Sequence, residues 1–291
     1  MAIYPSNLLG INNLIEGFDT ENPIAIYGPP KTGKSLLVLE QTYYLMAKTG
    51  KNAIIVDTEG GVNRFIDKWH DVFSKKYNID KRPIVVMART IEKVMYIQGL
   101  GVALNIHPPT IDPKTGKVKS AGKVDLMLTG SFPSSLEKMI KDNDVGILVY
   151  DSMTQPLRSQ FPSGQQNFPA KADATGLWLM KMFYFVDMYN VIVMAVHHHS
   201  LNPTNPFATP TTSGGETIAY NFKIVLYLEK FISKKVGNCR KLHIVRFFDQ
   251  PEWAKKVLME IDDNGFRDIE QSRIEELMGD KKVGTPTSKV M

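Results

Sequence analysis

Eight consecutive residues, Gly28-Pro29-Pro30-Lys31-Thr32-Gly33-Lys34-Ser35, fill the pattern G-x-x-x-x-G-K-S with no position compromised. The apolar run Ile24-Ala25-Ile26-Tyr27 precedes them. Residues 36–48, rich in Leu, Glu, Gln and Met, follow with helical character. Strand, loop and helix in that order is the context in which the pattern signals phosphate binding. The backbone N–H groups of such a loop wrap a triphosphate, and the helix start adds a favourable dipole. Lys34 is then placed to reach the β- and γ-phosphates, and the Ser35 hydroxyl to ligate Mg²⁺. The plainer alternative is a Gly/Pro-rich turn ahead of an amphipathic helix.

A length of 291 residues allows one large domain or two small ones. Apolar content of 43% and charged content of 22% are those of an ordinary globular protein. No apolar run reaches the ~18 residues needed to span a bilayer, so no membrane partner is expected. The first six residues lack a signal-peptide pattern. The single cysteine, Cys239, excludes an internal disulfide and fits a reducing compartment, so a cytoplasmic location is expected. A net charge of +5 is compatible with a polyanionic partner without requiring one.

Apolar runs at 24–27, 53–57, 83–88, 145–150 and 191–196 alternate with helical stretches at 36–48, 90–105, 134–141 and 172–189. This is the α/β pattern. The runs are continuous, as expected for strands covered on both faces. Beyond residue 220, the segments 223–229, 241–248 and 256–261 read as strands on short polar connections, an antiparallel extension at one sheet edge. The tail at 280–291 reads as disordered. No internal repeat is visible.

Three stretches fit poorly in a core and read as long loops, which are functional or disordered in compact domains. Residues 105–131 include Ile111-Asp112-Pro113-Lys114-Thr115-Gly116-Lys117-Val118, a hairpin signal, with Lys119 and Lys123 close by. Residues 155–170 carry Arg158, and residues 197–216 carry Asn, Pro, Thr and a Gly pair.

Hydrolysis needs a metal-holding carboxylate and a group that positions water. Asp151 follows the apolar run at 145–150, which puts it at the same sheet edge as the phosphate loop. There it can hold the Mg²⁺ hydration shell, or simply cap a turn. Glu59 ends the second run in Val56-Asp57-Thr58-Glu59-Gly60-Gly61. It is either the group that accepts a proton from the attacking water or a surface residue ahead of two glycines. His197-His198-His199 end the fifth run. Neighbours on a strand point to opposite sides, so the three cannot share one metal, and no zinc-spaced partner is near. A γ-phosphate sensor is the better reading, with one histidine left for a structural role.

In this order and spacing the pieces resemble the RecA/RadA recombinase family, within it the short archaeal RadA paralogs (RadB-like). The carrying stretches are 28–35, 56–60 and 149–154. Thr212-Ser213-Gly214-Gly215, the run 220–230, Val245-Arg246-Phe247-Phe248-Asp249-Gln250-Pro251-Glu252 and Gly265-Phe266-Arg267-Asp268 complete them. The resemblance spans residues 10–270. It implies a P-loop NTPase of RecA type, a mainly parallel sheet flanked by helices. It also implies one ATPase core over 1–279, interrupted by the insertion at 105–131.

By that resemblance, Lys34 and Glu59 are catalytic. Gly28, Pro29, Pro30, Lys31, Thr32, Gly33, Lys34, Ser35, Leu36, Arg64, His197 and His198 bind ATP. Ser35 and Asp151 hold Mg²⁺, Asp151 through water. Arg158, Phe207, Gly214 and Gly215 fall on two loops that bind single-stranded DNA. Phe207 either stacks on a base or covers local apolar surface. Asp249-Gln250-Pro251 match a segment that caps ATP held by a neighbouring subunit. A homo-oligomer or a recombinase is the implied protein partner.

Some features depart from the family pattern. His197-His198 stand where Asn-Gln is common, the separate helical N-terminal DNA-binding domain is lacking, and no convincing Phe-x-x-Ala tether is found. The insertion reads equally as a surface hairpin or an added contact for DNA or a partner. Two functions remain: a DNA-binding, DNA-stimulated ATPase of recombination or repair, or a KaiC-like nucleotide-switched ATPase that regulates a protein partner.

Overall fold

The computed structural model describes residues 2–120, 122–161, 165–200, 210–212, 218, 221–231, 238–248, 253 and 255–270. The chain opens with β1 (Ile3–Tyr4), α1 (Leu9–Ile15) and β2 (Phe18–Asp19), the two short strands pairing antiparallel. Next come β3 (Ile24–Gly28), α2 (Lys34–Thr49) and β4 (Asn52–Asp57). They are followed by α3 (Gly61–Tyr77), β5 (Ile84–Met87) and α4 (Ile91–Ile97). A ribbon of β6 (Leu100–His107), β7 (Thr110–Ile111), β8 (Val118–Ser120) and β9 (Lys123–Ser131) intervenes. The chain then re-enters the core through α5 (Ser135–Asp142), β10 (Val145–Asp151), α6 (Thr154–Gln160) and α7 (Phe168–Tyr189). Strands β11 (Ile192–Ser200), β12 (Thr211–Thr212), β13 (Ile224–Lys230), β14 (Cys239–Phe247), β15 (Lys256–Asp262) and β16 (Gly265–Asp268) complete it.

Among the described residues, ten strands form one sheet. Nine follow the order β16-β15-β14-β13-β3-β11-β10-β4-β5, and β12 pairs with β11. From β13 to β5 the pairing is parallel. From β13 to β16 it is antiparallel. This is the α/β architecture expected from the alternating apolar runs, with the antiparallel extension at one edge.

Strand alternation sends neighbouring side chains into two separate cores. Ile147 and Val149 join Leu37, Leu39, Tyr43, Ile66 and Phe73 under α2 and α3. Leu148 and Tyr150 join Met95, Leu157, Trp178 and Phe185 under α4, α6 and α7. Each such side chain taken fully from water contributes about 1.5–3 kcal/mol. A fully buried carboxylate, Glu40 of α2, ties the sheet edge to the helices. Its Oε2 accepts from the Phe266 N–H at 2.6 Å, and its Oε1 from Tyr77 Oη at 2.8 Å and Lys76 Nζ at 2.7 Å. That many donors offset the cost of burying its charge.

Two expectations need correction. The helix expected over 90–105 stops after Ile97. Gly99, at φ +83°, turns the chain where a Cβ would meet the Phe132 carbonyl oxygen at 2.5 Å. Residues 100–107 become β6 because β9 supplies eight antiparallel partners from distant sequence, Leu100↔Ser131 to His107↔Lys123. The hairpin signal at 111–118 marks the far tip of this longer ribbon. There Asp112 Oδ1 accepts the N–H groups of Lys114 and Thr115.

The second correction concerns 155–170, expected as a long loop. Residues 154–160 are α6, a 3₁₀ turn covers Gln165–Asn167, and α7 begins at Phe168. Pro156 and Pro169 lie in first turns, where a missing N–H costs nothing. Helix α3 has no counterpart among the expected helices, and neither does α1. Among the described residues no helix is long and apolar enough to cross a membrane. The tail at 280–291, and Phe207, Gly214, Gly215 and 249–251, lie outside the described residues.

Candidate functional site

The parallel strands β3, β4, β10 and β11 end side by side and open a cleft of about 400 Å³. Pro30, Lys31, Gly33, Lys34, Ser35 and Leu36 form one wall, and Glu59, Asp151, Val196 and His198 close the end over the strands. The loop 28–35 reaches this place through a close approach. A Cβ on Gly28 would stand 2.0 Å from the Leu228 carbonyl oxygen of β13, so only glycine fits beside that strand. Thr32 Oγ1 donates to the Pro29 carbonyl at 3.0 Å, and Arg240 Nε of β14 donates to the Thr32 carbonyl at 2.6 Å.

Lys34 is buried at the first position of α2. Its Nζ donates to the carbonyls of Gly28 at 2.9 Å and Pro29 at 2.8 Å. Burial holds its pKa below the usual lysine range, against the opposing pull of Asp151 and Glu59. Asp151 faces Ser35, which is hydrogen-bonded to it. Burial pushes the Asp151 carboxyl up to about 6. The Ser35 bond opposes that shift, and the Glu59 and Asp57 charges add to it.

Glu59 links two other elements of the cleft. Its Oε1 accepts from Ser152 Oγ at 2.6 Å and from His198 Nε2 at 2.8 Å. The His198 bond is the main reason its carboxyl lies below the ordinary range; burial works against it, and the Ser152 bond adds to it. The His198 N–H donates to Thr154 Oγ1 at 2.9 Å, and Arg158 Nη1 of α6 is 3.5 Å from His198 Nδ1. Thr58 fixes the floor, donating from Oγ1 to the Ser152 carbonyl at 2.6 Å and accepting the Ser152 N–H at 2.8 Å. The Asp151–Ser152 peptide is cis.

No family model matches the chain. Over 272 residues it is 23% identical to the DNA repair and recombination protein RadA of Aeropyrum pernix, which covers 90% of this chain and 72% of that protein. Among solved structures, the RadB recombinase superposes with a TM-score of 0.63 at 19% identity, over 91% of this chain and 98% of that one. The chain is similar to RadA in sequence and to the RadB recombinase in fold.

In this RecA/RadA-like fold the structure gathers Lys34, Ser35, Glu59, Asp151 and His198 around one cleft. Arg158 stands beside them on α6. Two expected ATP contacts fall elsewhere. His197 is fully buried on the opposite sheet face, edge-on to Phe222 at 5.7 Å. Strand alternation gives the cleft to His198 and turns His197 away. Arg64 is exposed on α3 and does not line the cleft. Phe65 and Trp69 do, because residues four apart share a helix face.

The sequence reading missed both aromatics, together with Ser152, Thr154 and Arg240. The apolar spacing Val62, Phe65-Ile66, Trp69, Phe73 after the Gly pair was the available signal for α3. Ser152 and Thr154 lie inside the stretch 149–154 with no role given to them there, and Arg240 carries no local signal; each acts through a contact distant in sequence.

Buried without a hydrogen-bond partner for Nε2 among the described residues, His197 has its pKa lowered to about 3 by burial, helped by the nearby His198. Once unfolded, the ring takes up its proton near the ordinary 6.5. Between those values the unfolded state binds more protons. This contribution to stability is therefore complete above 6.5 and is lost as pH falls toward 3. Wild-type stability is expected to fall across pH 6.5 to 4 more steeply than that of His197→Leu, by about 1.4 kcal/mol per pH unit. Urea titrations in a pH series measure this, and parallel curves refute it.

Proposed function

We propose that this chain is a DNA-binding, DNA-stimulated ATPase of homologous recombination or DNA repair, acting in the cytoplasm as a recombinase paralog or mediator. The observation that carries the reading is the continuous polar path from Ser152 and Glu59 through His198 to Arg158. It joins a carboxylate in the phosphate-loop cleft to an exposed cation on the next helix. A change at the γ-phosphate position that moves Glu59 also disturbs His198 and Arg158, and contact between Arg158 and a DNA phosphate works back along the same bonds.

The residues present fit ATP with Mg²⁺. Glu59 and Asp151 line the cleft beside Lys34, the Asp57 charge acts on Asp151 from behind it, and burial raises the Asp151 pKa. Among the described residues no group of three or more His, Cys, Asp or Glu is arranged to hold a metal. Mg²⁺ takes one or two protein oxygens and completes its shell with phosphate and water. Ser35 and Asp151 would hold it, and when bound it neutralises charge on the phosphates. Lys34 reaches the phosphates by leaving the Gly28 and Pro29 carbonyls. Glu59, kept ionised by its hydrogen bonds, accepts the proton of the attacking water. Phe65 and Trp69 exclude solvent on the far side.

Similarity to a DNA repair and recombination protein supports the setting. Single-stranded DNA is the proposed partner, with a second copy or a recombinase as the protein partner. The test is ATP hydrolysis with and without single-stranded DNA over a salt series. Stimulation that weakens with salt is expected. Turnover indifferent to DNA at every salt concentration overturns the reading in favour of a nucleotide-switched regulator of a protein partner.

A further inference from the structure

The cleft makes no use of the ribbon β6–β9. Its base is built into the core, with Val124 buried and Val102, Leu104 and Leu126 packed against the α4 and α7 layer. Its outer half stands in solvent, and Ile106, Ile111 and Val118 are each more than 60% exposed. Strands β7 and β8 hold the tip in register, Thr110↔Ser120 and Ile111↔Val118. The tip carries Lys114, Lys117 and Lys119, all exposed, and none has an ion-pair partner among the described residues. The nearby carboxylates are committed elsewhere. Asp112 accepts turn N–H groups, and Asp125 is bonded to His107 and Lys123. Lys117 and Lys119 flank Val118, so they project from the face opposite Ile111 and Val118.

The direction of the ribbon is fixed by hydrogen bonds to the α6–α7 connection. Asn167 Oδ1 accepts the Val124 N–H at 2.8 Å, and Gln166 Nε2 donates to the Gly122 carbonyl at 2.9 Å. That connection follows Arg158. Lys171, on the first turns of α7, is close enough to Arg158 for the two charges to interact, and its pKa is lowered by burial first and by Arg158 second. Arg158 and Lys171 thus lie on the two helices whose connection is bonded to the base of the ribbon.

We propose that the ribbon tip is a second nucleic-acid contact of this chain, an arm whose Lys114, Lys117 and Lys119 bind the phosphate backbone of a strand held at Arg158. Extended basic strands follow a polyanion by charge without reading its bases. The inference rests on the DNA reading above. Unlike that reading, it concerns binding alone, since the arm touches neither Glu59 nor the phosphate loop.

The test is fluorescence anisotropy of a labelled single-stranded 40-mer against the full chain and the triple variant Lys114→Ser, Lys117→Ser, Lys119→Ser. Salt is varied, and ATPase without DNA is assayed in parallel. Each phosphate contact to a single strand contributes about 0.7 to the slope of log affinity against log salt. The triple variant is expected to have a slope shallower by about 2 and an affinity about 100-fold lower at 0.1 M salt, with basal ATPase unchanged. An unchanged slope and affinity overturn the arm while leaving the DNA reading intact. Wild-type protein that binds no DNA overturns both. Lost capture of a protein partner by Ile111→Ser with Val118→Ser, while the lysine variant keeps full DNA affinity, assigns the ribbon to protein docking and also overturns the proposal.

Discussion

Lys34→Ala loses tight ATP binding, with Kd raised by about 10²–10⁴-fold. The magnitude follows from two charge-assisted hydrogen bonds at about 1.5–3 kcal/mol each. In the structure the ammonium bonds the Gly28 and Pro29 carbonyls, so it is already centred at the mouth of the phosphate loop. Both Asp151 and Glu59 also act on its charge. Removing it has two effects with the same sign: the phosphates lose their donor, and Asp151 and Glu59 repel them unopposed. Lys34→Met, which keeps the apolar stem in its buried channel, separates charge from packing. Isothermal titration with ATP and Mg²⁺, backed by a thermal melt, reads the outcome. Wild-type affinity in Lys34→Met, with the fold intact, removes the lysine from the phosphate site.

Glu59→Gln keeps ATP binding within a few-fold and lowers turnover by about 10²–10⁴, the usual span for losing a general base. Glutamine has the same shape, and its amide oxygen still accepts from Ser152, so the floor of the cleft persists. What it loses is basicity and the charge that draws His198 Nε2–H. Single-turnover hydrolysis alongside nucleotide affinity separates binding from chemistry. Turnover at the wild-type rate would sink the assignment of Glu59 as the base. An equal loss of affinity and rate would recast Glu59 as a positioning residue for the phosphates.

Much of this architecture is legible in the chain itself. The phosphate loop, the continuous apolar runs and the placement of Asp151 and Glu59 at strand ends depend on local pattern, and the structure brings all of them to one cleft edge. The less legible parts depend on contacts between distant residues. Residues 100–107 carry no local instruction to leave the helix except Gly99; β9, more than twenty residues later, decides it. Arg64 and His197 look as suitable as their neighbours by residue type. Helix phase and strand alternation turn them away from the cleft lining, and those phases are set by where α3 starts after Gly60 and by the pairing of β11 between β3 and β10.

Local pattern alone specifies the G-x-x-x-x-G-K-S loop between a buried strand and a helix, two carboxylates at the ends of neighbouring strands, and a parallel sheet with an antiparallel edge. These are properties of neighbouring residues: turn chemistry, charge and the period of apolar side chains. Which histidine meets Glu59, that Ser152 and Arg158 complete that path, and that the lysine-bearing insertion is a ribbon bonded to the helix connection beside it all come from long-range packing. Hydrogen bonds form wherever packing brings donor and acceptor within about 3 Å. For residues forty to a hundred and forty positions apart, that meeting is fixed by the fold and by nothing local.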